Sequence, residues 1–340
     1  SSKFASFTLL SKGDYTHEMN ILLPFSLVNN NVSKDRLEIM PAYWWMYNMY
    51  AIARNTSKYH KRDTRKRRIQ TIEFETLAPD TIEEIIAACK MLEVWTAKAY
   101  LNSQNKDCST YKYHELREIG RDLMTKPEVV GKLEIMGENI ENSRRKVVIL
   151  KAYNAYHAYR DMIHYYAINT IINSIFNDNP VNLTKIKDEF NGLRRKVWIN
   201  LGGQMMMKED VDKLRDDINN NVINSWDEIH NRYNEIWARY PKDKMKHACL
   251  SLYFLMQTKE INDEMFCELL KKAIDIQNYI CEQVYLSRKK DYDNQIRNST
   301  FRNEDEKIAV IGALEDNSFV KQIRKEKEEF KSRIEKVISM

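Results

Sequence analysis

Residues 153–166 read YNAYHAYRDMIHYY, and the periodicity of this run decides the fold. At about 100° per residue, Tyr153, His157, Arg160 and His164 fall in one narrow stripe, spaced 4, 3 and 4 apart. Ala152, Tyr156, Ile163 and Ala167 make the neighbouring apolar stripe. The segment therefore reads as a helix that faces a core with one side and carries a line of polar, partly aromatic groups beside it.

The same arithmetic recurs in AYWWMYNMYAIARN, residues 42–55, where Tyr43, Tyr47, Tyr50 and Arg54 are again spaced 4, 3 and 4, with Trp44, Asn48 and Ala51 alongside. Two helices with matching stripes are expected to pack together. Their polar edges then either close into a hydrogen-bonded network or line a cleft. In the second case Tyr47, Asn48, Arg54, Tyr153 and Arg160 are the ligand-binding candidates, the arginines holding an anionic group through their planar donor forks. His157, His164 and Asp161 are the catalytic candidates, since an imidazole titrating near neutrality moves protons. A metal on His157, Asp161 and His164 would need three ligands from one helix, which is cramped, so no metal is assigned.

Outward from these helices, the 340-residue chain has few turn formers, eight glycines and six prolines. That composition argues for long helices and against an all-β or nucleotide-binding βαβ fold. Helices are expected near 112–125, 138–176, 183–198, 224–237, 242–257, 263–290 and 304–338, the last charged almost all round and so a solvated face. PDTIEEIIAACKMLEVW (79–95) places Ile82, Ile85, Ile86, Cys89 and Leu92 on one face, with Thr81 and Glu84 in capping-box spacing. Ser225 and Glu228 repeat that spacing. Strands are expected in residues 1–40 and at TIEFE (71–75), with Gly13-Asp14 as a turn. The glycines of LGGQ (201–204) are expected to end a helix with positive φ, and the methionines at 205–207 to be flexible filler. The fold class is mainly α: a bundle-like body over 41–340 behind a small β-rich entry segment over 1–40.

Charge narrows the function classes. The balance of 54 basic against 49 acidic side chains leaves a formal +5, too small a field to steer a polyanion by itself. The basic connector HKRDTRKRR (60–68) is interrupted by Asp63 and has only Tyr59 nearby to stack on a base. It is expected to be a largely exposed linker that does not bind nucleic acid tightly. No apolar run reaches the roughly 18–20 residues of a membrane span. The five scattered cysteines read as reduced thiols in a cytoplasmic protein. No nucleophile elbow, phosphate loop or dinucleotide fingerprint is present, so the residues name neither a reaction nor a cofactor.

SSKFASFTLLSKGDY, PFSLV, RLEIMPAYWWMYNMYAIARN, SRRKVVILKAYNAYHAYRDMIHYYA, NLGGQ, NSWDEIHNRYNEIW and IGALEDNSFVKQIR together resemble an uncharacterised bacterial family, domain of unknown function 4954. That resemblance implies a longer protein with an upstream left-handed β-helix of hexapeptide repeats, whose last coil is SSKFASFTLL, followed by this helical region. It further implies, by fold analogy alone, acyl or nucleotidyl transfer on sugars or sugar nucleotides, and a trimer. The partners it suggests are the chain's own upstream β-helix and a sugar nucleotide or other anionic small molecule. A non-catalytic interaction or assembly scaffold is the alternative, and whether the protein is an enzyme stays open.

Overall fold

The computed structural model describes residues 1–67, 69–176, 194–258 and 260–339. Helix makes up 62% of it, the sheets being small, as the composition requires. The chain order is β1 (Lys3–Phe4), β2 (Leu9–Leu10), β3 (Asn20–Ile21), β4 (Leu27–Asn31), β5 (Arg36–Met40), α1 (Tyr43–Tyr47), α2 (Met49–Arg62), α3 (Pro79–Ser103), α4 (Tyr113–Leu123), α5 (Pro127–Val130), β6 (Lys146–Ile149) and α6 (Ala152–Phe176). After the undescribed stretch come β7 (Trp198–Leu201), β8 (Gln204–Met207), α7 (Lys208–Asn219), α8 (Trp226–Met256), α9 (Asp263–Tyr292), α10 (Gln295–Asn298), α11 (Glu304–Ile311) and α12 (Ser318–Ile338). Contacts divide the chain into two compact units interleaved in sequence, Ser1–Tyr47 with Thr81–Met162 and Asn48–Asp80 with Ile163–Met340. Among the described residues no helix is long and apolar enough to cross a membrane.

The first unit begins as two stacked turns of chain. β1 pairs in parallel with β3, Lys3 opposite Asn20, and β2 in parallel with β4, Leu9 opposite Leu27. The Lys3 and Ala5 amides donate to Met19 and Ile21, and the Leu9 and Ser11 amides to Ser26 and Val28, at 2.8–2.9 Å. At the corner, Phe7 and Phe25 both hold positive φ, 58° and 57°, and their rings stack at 4.8 Å. The stack ends where β4 turns back antiparallel into β5, which then takes β6 as a parallel neighbour. Ile21, Leu23, Phe25, Val28, Leu37 and Ile39 are sealed inside, as is the expected face of α3, Ile82, Ile85, Ile86, Cys89 and Leu92.

In the second unit, α2, α9, α12 and the later turns of α6 make a helical layer. The Tyr50 amide donates to Ser287 Oγ at 2.9 Å, Tyr165 Oη to Gln277 Oε1 at 2.6 Å, and Arg333 to Asn173 at 2.8 Å. α12 is not charged all round: Phe319, Val320, Ile323, Phe330, Ile334 and Val337 are buried, spaced 1, 3, 7, 4 and 3 apart, the seam of a helix packed along α9. The β7–β8 hairpin lies on α8, with Gln204 Nε2 donating to the Tyr233 carbonyl at 2.8 Å.

Several expectations are corrected. The expected helix across 42–55 breaks at Asn48 (φ −141°, ψ 45°), so one angular arithmetic does not run from Tyr43 to Arg54. The helix expected from 138 begins only at Ala152, because the β-branched run at 147–149 pairs with β5. Thr81 is no N-cap, since α3 starts at Pro79, and Glu84 instead accepts the Ser6 amide at 2.8 Å. TIEFE forms no ladder, although the Glu73 amide donates to Gly203 O at 2.8 Å. Gly202 and Gly203 have positive φ, 65° and 100°, but they turn a hairpin instead of ending a helix, because the mirror-image turn needs φ above zero at both central positions. Met205 and Met206 are buried strand residues. Residues 183–193 of the expected helix lie outside the described residues, and 198 opens β7. Residues 226–256 are one helix running through Pro241, and Gly312 (φ 73°) separates α11 from α12.

Three further expectations agree with the structure. Ser225 and Glu228 form their reciprocal capping box. The cysteines are all free, and burial pushes the Cys89 and Cys249 thiols well up. Residues 61, 62 and 64–67 of the basic connector are exposed, and Arg65 Nε closes locally on Asp63 at 2.7 Å.

Candidate functional site

The eight residues singled out by periodicity divide between the units. Tyr47, Tyr153, His157, Arg160 and Asp161 belong to the first, and Asn48, Arg54 and His164 to the second. His157 Nε2 meets the Met124 carbonyl at 2.8 Å, and His164 Nε2 meets the Leu269 carbonyl at 2.7 Å. A carbonyl only accepts, so both rings carry their proton on Nε2 and use it to tie α6 to a neighbouring backbone. The Tyr153 ring lies 4.5 Å from that of His157. The Arg160 guanidinium covers the Tyr156 ring at 5.8 Å, while Arg54 is exposed over Tyr50 at 5.7 Å. Tyr47 is 40% exposed, and Asn48 forms no capping bond. Among the described residues no three His, Cys, Asp or Glu side chains gather to hold a metal ion.

The first unit also buries a charge that no local sequence pattern marks. Glu93, 2% exposed, accepts from Arg117 Nε at 2.8 Å, Arg121 Nε at 3.3 Å and Tyr156 Oη at 3.0 Å. Burial, then the Glu93 charge, pushes the Tyr156 hydroxyl well up, so it stays a donor. The arrangement locks α4 and α6 to α3. Every oxygen of the carboxylate is taken, and its chemistry is structural.

A more open arrangement lies in the second unit. Arg194, Lys196 and Trp198 alternate along extended chain entering β7, which puts them on one side. Asp243, Lys246, His247 and Leu250 share one face of α8, spaced 3, 1 and 3. The two faces, with Met207 of β8, line a cavity of about 340 Å³. Arg195, between Arg194 and Lys196, fixes the geometry. Its Nη1 donates to the Leu250 carbonyl at 3.0 Å and its Nη2 to His247 Nε2 at 3.2 Å. A guanidinium only donates, so Nε2 accepts and the His247 proton sits on Nδ1, facing Tyr166 Oη at 2.9 Å.

The cavity's electrostatics are uneven. Asp243 is engaged by Arg239 Nε at 3.2 Å and lies 3.9 Å from Lys246. Burial nonetheless holds its carboxyl above the ordinary range, against the pull of Arg239 and Lys246. Lys196 pairs at 2.7 Å with Glu209, whereas Arg194 forms no ion pair among the described residues. On the same wall Trp198 Nε1 is a buried donor with no partner among them. The sequence held one signal for this site, the alternation of Arg194, Lys196 and Trp198. That alternation sits at the end of a stretch, 183–198, whose composition suits a helix equally well.

Residues 182–340, which carry the whole of this cavity, match the family model described as a domain of unknown function (DUF6819). An uncharacterized protein of Treponema pallidum (strain Nichols) is 35% identical over 325 residues, which is 95% of this chain and 43% of that protein. The chain thus spans less than half the length of the relative it matches. No solved structure matches it significantly. The C-terminal match carries the description DUF6819, not the family 4954 that the quoted segments resemble, and neither description states an activity.

Proposed function

We propose that the first unit is the end cap of a parallel β-helix of the hexapeptide kind, stacking on earlier coils of the same polypeptide. The observation that carries this reading is the register of the first 31 residues. Lys3 pairs with Asn20, and Leu9 with Leu27, offsets close to the roughly 18 residues of a coil built from six-residue repeats. Phe7 and Phe25 repeat both backbone twist and ring stacking one turn apart. Solenoids need terminal units that stop further stacking, and the antiparallel β4–β5 pair is such a stop, because a reversed strand presents no next coil.

Family 4954 is the finer assignment, and the activity it suggests for the whole protein is acyl or nucleotidyl transfer on sugars, in a cytoplasmic trimer. In that case Arg160 is the anion-holding candidate of the first unit and His157 the proton-moving one. The assembly-scaffold reading draws support from both histidines donating to backbone carbonyls, which is the work of a structural network.

Hydrogen exchange tests the cap. The Lys3, Ala5, Leu9 and Ser11 amides point to the second turn, so by strand alternation those of Phe4 and Leu10 point away from it. In this chain Phe4 and Leu10 exchange quickly. In a longer polypeptide that includes the preceding sequence they become protected. Equal, fast exchange in both would defeat the proposal.

A further inference from the structure

The cavity between β7 and α8 takes, we infer, a small organic phosphate: a dianionic phosphate group held by Arg194, Lys196 and Lys246, with a planar or apolar remainder against Trp198, Met207 and Leu250. The inference does not rest on the end-cap reading, since the cavity lies wholly in the second unit. Three independent features support it.

The first is charge. Three cations and one carboxylate line the cavity, and that carboxylate is already engaged by Arg239. Arg194 keeps its planar donor fork unspent, the group best matched to phosphate oxygens. The second is the indole N–H of Trp198, buried and without a partner. A buried donor left unmet is costly, so a ligand oxygen that reaches it by a small shift of the indole makes a bond the free protein lacks. The third is rigidity. Arg195 binds the Leu250 carbonyl and His247, so the segment that carries Arg194 and Lys196 is tied to α8 before any ligand arrives.

Size and surface select the ligand. At about 340 Å³ the cavity is at the small end of the range for organic ligands, which favours a phosphomonoester over a dinucleotide. The aromatic and aliphatic wall gives a nucleobase or similar flat group something to cover, which inorganic phosphate cannot exploit.

The test is isothermal titration of the full chain with three probes: adenosine monophosphate, adenosine and inorganic phosphate. The monophosphate is expected to bind at least tenfold more tightly than either of the others. Arg194→Gln and Lys246→Gln, both surface changes, should each weaken it about tenfold, with circular dichroism unchanged. Binding should also alter tryptophan emission in the wild type and not in Trp198→Phe, which places the ligand at this wall. Affinity equal for adenosine and its monophosphate, affinity unchanged in Arg194→Gln and Lys246→Gln, or no binding of the monophosphate at millimolar concentration would each overturn the inference. None of these outcomes bears on exchange at Phe4 and Leu10, so the two proposals fail separately.

Discussion

Gly120→Ala tests how the first unit is held together, because local and tertiary energetics predict opposite signs. In an isolated helix the change stabilises by about 1 kcal/mol, alanine losing less backbone entropy than glycine. In α4 the added Cβ would sit 1.8 Å from the Glu93 carbonyl oxygen, 2.4 Å from its carbon and 2.8 Å from its Cα. These are backbone atoms of α3, which no rotamer change can clear, so α4 must retreat by roughly 1 Å in a close-packed interior. Overpacking of this kind costs about 1–3 kcal/mol. The retreat also stretches the bonds that Arg117 and Arg121 donate to Glu93, on either side of Gly120, and charge-assisted bonds to a buried carboxylate contribute about 1.5–3 kcal/mol each. With partial loss of one such bond, the net expectation is destabilisation by about 2–4 kcal/mol. Urea titration followed by hydrogen exchange in α3 and α4 measures it without averaging over the second unit. A variant stabilised by about 1 kcal/mol would show that the close approach of α4 to Glu93 is wrong.

Two further outcomes are expected. Burial works to raise the Glu38 and Glu141 carboxyls, but hydrogen bonds from Arg36, Asn31 and Asn29 to Glu38, and from Arg145 and Ser143 to Glu141, prevail and hold both below the ordinary 4.5. Their folded-state values are therefore depressed, so the stability they contribute is complete above about pH 4.5 and is lost as pH falls through the folded values. Glu38→Gln should flatten the acid limb of a stability profile of the first unit, and an unchanged slope would count against the Arg36 contact. In the β7–β8 hairpin, Gly203→Ala puts a side chain at φ 100° and 3.2 Å from Ile72, and should cost about 1–3 kcal/mol. Gly202→Asn, at φ 65° with nothing nearby, should cost only a few tenths. Thermal unfolding of the two variants side by side checks the difference, and equal losses would remove the hairpin assignment.

The candidate site was less legible than the helices that carry it. Periodicity placed Ala152, Tyr156, Ile163 and Ala167 inside, and all four are buried. It could not say what would meet His157 or His164, because the partners are backbone carbonyls of Met124 and Leu269, and a carbonyl has no letter in the sequence. The matching stripe over 43–54 failed for a related reason. A helical spacing holds only while the helix continues, and the break at Asn48 is made by one residue whose type allows it without requiring it. Nothing near Glu93 in the sequence marks it, since its three donors come from 24, 28 and 63 residues away.

What the sequence determined by itself is what depends on neighbours along the chain: the mainly helical class, the buried face of α3, the Ser225–Glu228 cap, and positive φ at Gly202 and Gly203. These follow from local sterics and the 3.6-residue period, which are settled within a few turns of chain. Tertiary structure decided the rest. It made strands of 146–149, 198–201 and 204–207, where β-branched and apolar residues suit either structure until a partner strand supplies the hydrogen bonds. It also buried one stripe of the charged final helix along α9. The cavity of Arg194, Lys196 and Lys246 is the sharpest case: its walls lie about fifty residues apart in sequence, and only the anchoring of Arg195 on Leu250 and His247 turns a surface strand and a helix face into one site.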